Sequence, residues 1–104
     1  MQRTYQQAIK AFGHKHTYSK TIEELIELAL ALVHYQDGKI ALPELVGEIA
    51  DVELTVGKLK LMLTDLTEQN IEDLVLEVKQ YKIGLLQKEI KKMNDGRGKK
   101  NKVV

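Results

Sequence analysis

In EELIELALALVHYQDGKIALPELVGEIADVEL, Glu23 to Leu54, two apolar runs of helical period flank QDGK, a stop that contains glycine. Pro43 follows at a position suited to the first turn of a new helix. The reading is a helix ending near Tyr35, a turn centred near Lys39, and an antiparallel helix from about Leu42 to Leu63. Set into this apolar pair are Glu23, Glu24, Glu27, Glu44, Glu48 and Asp51, and their surroundings are short of cations. Four residues after Glu23 stands Glu27, after Glu24 Leu28, after Glu27 Ala31, after Glu44 Glu48, after Glu48 Val52, and after Asp51 Thr55. A solvated acidic face normally gains from Glu to Lys pairs at that spacing, and here only Lys20 approaches the set.

Glu24 and Glu27 are three residues apart, which is about 4.5 Å along a helix axis and about 60° around it, and Glu48 and Asp51 repeat the spacing. With the turn near Lys39, antiparallel pairing sets Glu27 level with Asp51 and brings Glu48 within about one helical turn of both. The carboxylates of Glu24, Glu27, Glu48 and Asp51 then face a common point. The run LALALV, Leu28 to Val33, predicts a helix enclosed on most sides, and carboxylates gathered beside it need a compensating cation. Oxygen ligands alone favour a hard ion, Mg²⁺ with Mn²⁺ as a substitute, which keeps waters and also binds phosphate oxygens. Two other roles are open to these residues. They can form a solvated face, and Glu24 can close a capping box with Thr21 at a helix start.

Outward from this pair, Tyr5, Ile9 and Phe12 recur at helical spacing over Gln2 to Phe12, and Gly13 is placed to end that helix. HKHTYS then reads as a turn, with the acidic helix starting at Thr17, Ser19 or Thr21. After TDLTEQN, Asn70 with Asp73 resembles a cap for a last helix whose apolar face carries Ile71, Leu74, Val78, Leu85, Leu86 and Ile90. The expected organisation is an all-α domain over residues 1–93, a four- to five-helix bundle built on the antiparallel hairpin, and a basic, disordered tail over 94–104.

The 104 residues are enough for one core and too few for two. The absence of cysteine excludes disulfides and thiolate metal sites. MQRTYQQAIKAF lacks the apolar stretch of a signal peptide, and the longest apolar run is far below the ~20 residues that span a bilayer. A cytoplasmic protein with no membrane role is expected. The net charge of +1 gives no global reason to expect nucleic acid, and GRGKKNK reads as a solvated tail. Amphipathic helices in so short a chain leave apolar surface for a second copy to cover, as a homodimer or homotetramer.

EELIE at Glu23 to Glu27 and EIAD at Glu48 to Asp51, with twenty residues between, resemble the EExxE and ExxD motifs of the MazG-like all-α nucleoside triphosphate pyrophosphohydrolases. That group is related to the dimeric dUTPases and to phosphoribosyl-ATP pyrophosphohydrolase. The preceding FGHKHTYSKTIEELIEL is similar to the family's passage from a Phe-Gly turn into the acidic helix, so the resemblance spans roughly Ala8 to Leu63. It implies hydrolysis of a nucleoside triphosphate to the monophosphate and pyrophosphate. Glu24, Glu27, Glu48 and Asp51 would hold Mg²⁺, and Glu23 or one of the ligands, Glu24 or Glu27, would help activate the attacking water. Two departures stand out: Thr17 replaces a common glutamine, and KQYKIGLLQKEI lacks the arginine and asparagine that often follow in the last helix.

Cations for the phosphates are available at Lys79, Lys82 and Lys88, and aromatic rings for base stacking at Phe12, Tyr5 and Tyr35. His14 and His16 have no third ligand spaced to complete a zinc site, and His34 stands alone. A di-iron bundle needs Glu-x-x-His, whereas Leu30 follows Glu27 and Asp51 follows Glu48 at that spacing. The alternative to an enzyme is a helical regulatory module that holds a nucleotide or another partner in an acidic metal cleft without turnover.

Overall fold

The computed structural model describes the backbone of residues 1–103 and the side chains of residues 1–96. Among the described residues there are four helices and no strand: α1 (Gln2–Phe12), α2 (His14–Gln36), α3 (Leu42–Thr67) and α4 (Ile71–Val103). No helix among them is long and apolar enough to cross a membrane. The chain divides into two units, residues 1–71 and 72–104. In the first, α2 packs against α3, and α1 packs against both.

α1 has the predicted limits. Gly13, at φ 89°, ends it in a conformation that residues with a side chain rarely adopt, and the Gly13 N–H reaches back to the Ile9 carbonyl at 2.8 Å. The next residue already belongs to α2, so HKHTYS is helical and not a turn. Threonines make this early start possible. Thr17 Oγ1 donates to the Gly13 carbonyl at 3.2 Å and Thr21 Oγ1 to the Thr17 carbonyl at 2.7 Å, so both hydroxyls are buried with a partner. Thr21 is therefore well inside the helix, and the capping box with Glu24 does not form.

α2 ends where QDGK predicts. The N–H groups of Asp37, Gly38 and Lys39 bond back to the carbonyls of Val33, Tyr35 and His34 at 3.0, 3.0 and 2.8 Å. α3 opens with Pro43 in its first turn, and the Ala41 N–H donates to Glu44 Oε1 at 3.4 Å. It runs one turn past the predicted end at Leu63, because nothing in TDLT breaks a helix, and it stops where Glu68 turns left-handed at φ 58°. Thr64 Oγ1 donates to the Lys60 carbonyl at 2.8 Å and accepts the Ile71 N–H at 3.2 Å, tying the end of α3 to the first residue of α4.

α1 meets α3 at Gly57. A Cβ added there would lie 2.9 Å from Tyr5 Cε2, so the tyrosine ring rests on helix backbone in space that only glycine leaves. The buried hydrophobic side chains of the described residues are Ala31, Leu45 and Met62, and beside them Thr17, Thr21, Glu24 and Thr55 are also buried. LALALV is not enclosed on most sides: Ala31 is buried, while Leu30, Leu32 and Val33 are about half exposed. One chain covers one side of this helix.

α4 forms the second unit. Its apolar side chains Leu74, Val78, Leu85, Leu86 and Ile90 are exposed, although they were expected to face a core. The helix continues past residue 94, where the sequence suggests an irregular tail. The side chains of the basic cluster from residue 97 onward lie outside the described residues.

Candidate metal centre

The packing of α2 on α3 brings the acidic side chains together as two groups that share one residue. Ligand-capable oxygens of Glu23, Glu24 and Glu27 lie within 4.8 Å of one another, and so do those of Glu24, Glu48 and Asp51. Glu24 is thus the junction. It is also the buried member, with 5% of its surface exposed, whereas Glu48 is half-buried and Glu23, Glu27 and Asp51 are exposed. Glu27 and Asp51, expected level with one another, fall in different groups, each with Glu24.

Each oxygen of Glu24 has a different fate. Oε1 accepts from Lys20 Nζ at 3.1 Å, and Lys20 also lies 3.6 Å from Glu23 Oε1. Oε2 is buried and has no hydrogen-bond partner, and the same holds for Glu48 Oε2. A buried polar atom left without a partner costs about 1–3 kcal/mol, and more when it is charged, so these two oxygens are positions at which a cation or donor is favoured. Glu27 responds to the same crowding. Its carboxyl is held above the ordinary carboxylate range, chiefly by the charge of Glu24, then by loss of water, by a hydrogen bond shared with Glu24, and by the charges of Glu48 and Glu23.

The residues that could hold a divalent cation are therefore Glu24, Glu27, Glu48 and Asp51, with Glu23 at the rim. A groove of about 210 Å³ runs from Glu27 and Glu48 past Leu30 and Ala31 to His34, Ile40 and Glu44. Neither His34 nor Ile40 is marked as lining by the motifs of the sequence. The signal was present for His34, which stands seven residues, or about two turns, beyond Glu27 and so on the same face. Phe12 lies elsewhere, 64% exposed at the corner between α1 and α2, its ring tilted against His16 with centroids 5.0 Å apart. Tyr5 packs on Gly57. Lys79 and Lys82 belong to α4, in the second unit.

No protein-family model, curated protein or solved structure matches the chain.

Proposed function

We propose that this chain is a Mg²⁺-dependent nucleoside triphosphate pyrophosphohydrolase of the MazG-like group, cleaving a ribo- or deoxynucleoside triphosphate to the monophosphate and pyrophosphate. The observation that carries the reading is the buried Glu24, the residue common to both carboxylate groups, whose Oε2 lacks a partner. Residues 24, 48 and 51 meeting at one level, and residues 34, 40 and 44 at another, support an antiparallel hairpin of α2 and α3 as the scaffold. All the donors are carboxylate oxygens, a set that suits a hard ion and disfavours iron or zinc.

In this reading Glu24, Glu27, Glu48 and Asp51 hold Mg²⁺. The ion supplies Lewis-acid charge against which the triphosphate oxygens are neutralised. The part played by the chain is to converge ligands from two helices that differ in burial, so that Glu24 is fixed by packing while Glu27 and Asp51 stay open to substrate. Glu23 has a side chain 55% exposed beside Glu24, paired at 3.6 Å with Lys20, and is the carboxylate placed to orient the attacking water and take its proton. Phe12 is the exposed ring available to a base. A second copy completes the molecule, covering the apolar side of α2.

The test is the identity of the first product. Incubation with a panel of nucleoside triphosphates and Mg²⁺ is expected to release pyrophosphate and monophosphate together. Glu24→Gln and Glu48→Gln are expected to lower turnover by about 10²–10³-fold, as when a group that stabilises transition-state charge is removed. Orthophosphate with a diphosphate as the first products would sink the proposed reaction. Mg²⁺-dependent nucleotide binding with no product from any nucleotide would favour the regulatory module.

A further inference from the structure

Lys20 is the cation that the acidic cluster does have. It sits on α2 one turn before the carboxylates, with Nζ 3.1 Å from Glu24 Oε1 and 3.6 Å from Glu23 Oε1. The two partners differ in kind. The Glu24 side chain is 7% exposed and the Lys20 side chain 37% exposed, so a buried carboxylate is neutralised from the solvent side by a long, mobile arm. The order also matters, because a lysine that precedes a glutamate by four residues makes a weaker helix pair than the reverse.

The second oxygen of Glu24 points the same way. Oε2 is buried without a partner, and Glu24 is the residue that joins the Glu48 and Asp51 group to the rest, so Lys20 satisfies one oxygen of this carboxylate and leaves the other for another cation. A divalent ion seated there would place two positive charges a few ångströms from the ammonium group, across one carboxylate. Their mutual repulsion acts against both. Resting on the reading that this cluster binds a divalent cation, we propose that Lys20 is a displaceable counter-ion: it neutralises Glu23 and Glu24 in the metal-free protein, is expelled when the ion binds, and so sets how much free ion is needed to fill the site. Lys20 is a positioning residue in this account, since it acts through Glu24.

Calorimetric titration of Mg²⁺ alone into the metal-free full-length chain tests this, with Lys20→Met and Lys20→Arg beside the wild type. Removal of one positive charge next to a divalent ion is expected to tighten binding about tenfold in Lys20→Met. Lys20→Arg keeps the charge and is expected to stay within about twofold of the wild type. In the wild type, the ε-carbon resonance of Lys20 is expected to shift on saturation with Mg²⁺ as the ion pair opens, a readout that needs no variant to fold and no turnover. Equal or weaker Mg²⁺ affinity in Lys20→Met, or a Lys20 resonance that stays in place at saturation, overturns the proposal while the cation site stands. Absence of Mg²⁺ binding in both the wild type and Lys20→Met overturns the cation site and this proposal with it.

Discussion

Glu27 is exposed, yet its carboxyl titrates above the ordinary range because Glu24 and its neighbours crowd it with negative charge. In the unfolded chain that crowding is gone. The folded protein therefore binds more protons than the unfolded chain between the two pKa values, and stability falls with rising pH over that interval. The stabilising contribution is complete below the unfolded value and is lost as pH rises through the higher, folded one. Thermal melts of metal-free protein across the acid range, from below the ordinary glutamate value upward, are expected to show this decline. Glu27→Gln should flatten it, since an amide keeps a donor towards Glu24 and removes the charge. Saturating Mg²⁺ should suppress it for a different reason, by neutralising the carboxylates directly. An unchanged slope in Glu27→Gln would assign the decline to another group.

The helices owe their limits to a few residues that act on the backbone, and the fit of α1 on α3 to one that has no side chain. Gly57 admits the Tyr5 ring to a distance that a Cβ would contest at 2.9 Å. Gly57→Leu is expected to lower stability by about 1–3 kcal/mol through overpacking, even though leucine is the better helix former. In a Tyr5→Ala background the same substitution should cost nothing or stabilise, because the clash is gone and the propensity gain remains. Denaturant unfolding of the four proteins in that cycle measures the coupling. Additive effects would show that Tyr5 does not meet residue 57 in solution. The threonines work in a similar local manner, since back-bonding to preceding carbonyls lets Thr17 and Thr21 be buried where a serine or threonine would otherwise read as a helix start.

Across the whole molecule the balance of burial is unusual for a chain of 104 residues. Three hydrophobic side chains are buried among the described residues, while Ile22, Leu25, Ile26, Leu32 and Val33 of α2 are 47–64% exposed. Tyr18, Ile22, Leu25, Ala29 and Leu32 form a charge-free stripe at the spacing of a seam between helices, flanked by Ile26 and Val33. Covering half of one such leucine or isoleucine is worth roughly 1 kcal/mol, so a stripe of this length supports association of two copies. Sedimentation at micromolar concentration is expected to show a dimer or larger species, and Ile22→Glu together with Leu25→Glu should shift it towards the monomer. A monomeric wild type would remove the oligomer from the functional reading. An unaffected assembly in the double variant would place the interface on another surface.

Much of the architecture was legible in the chain because its signals are local. The period of the apolar residues made every element helical, Gly13 ended α1, QDGK ended α2, and Pro43 marked the start of α3. The carboxylate spacings within each helix were legible for the same reason, since residues three apart on one helix are neighbours wherever that helix goes. The start of α2 was misread because Thr17, Ser19 and Thr21 carry the same side-chain chemistry inside a helix as at its cap, and only the conformation of Gly13 separates the two cases. The tertiary structure alone decided that Glu24 is the buried member shared by two groups, one with Glu23 and Glu27 and the other with Glu48 and Asp51, and that His34 and Ile40 border the groove beside Glu27 and Glu48. These depend on how the turn sets one helix against the next. A displacement of one turn leaves every local signal unchanged and alters which carboxylate loses its water.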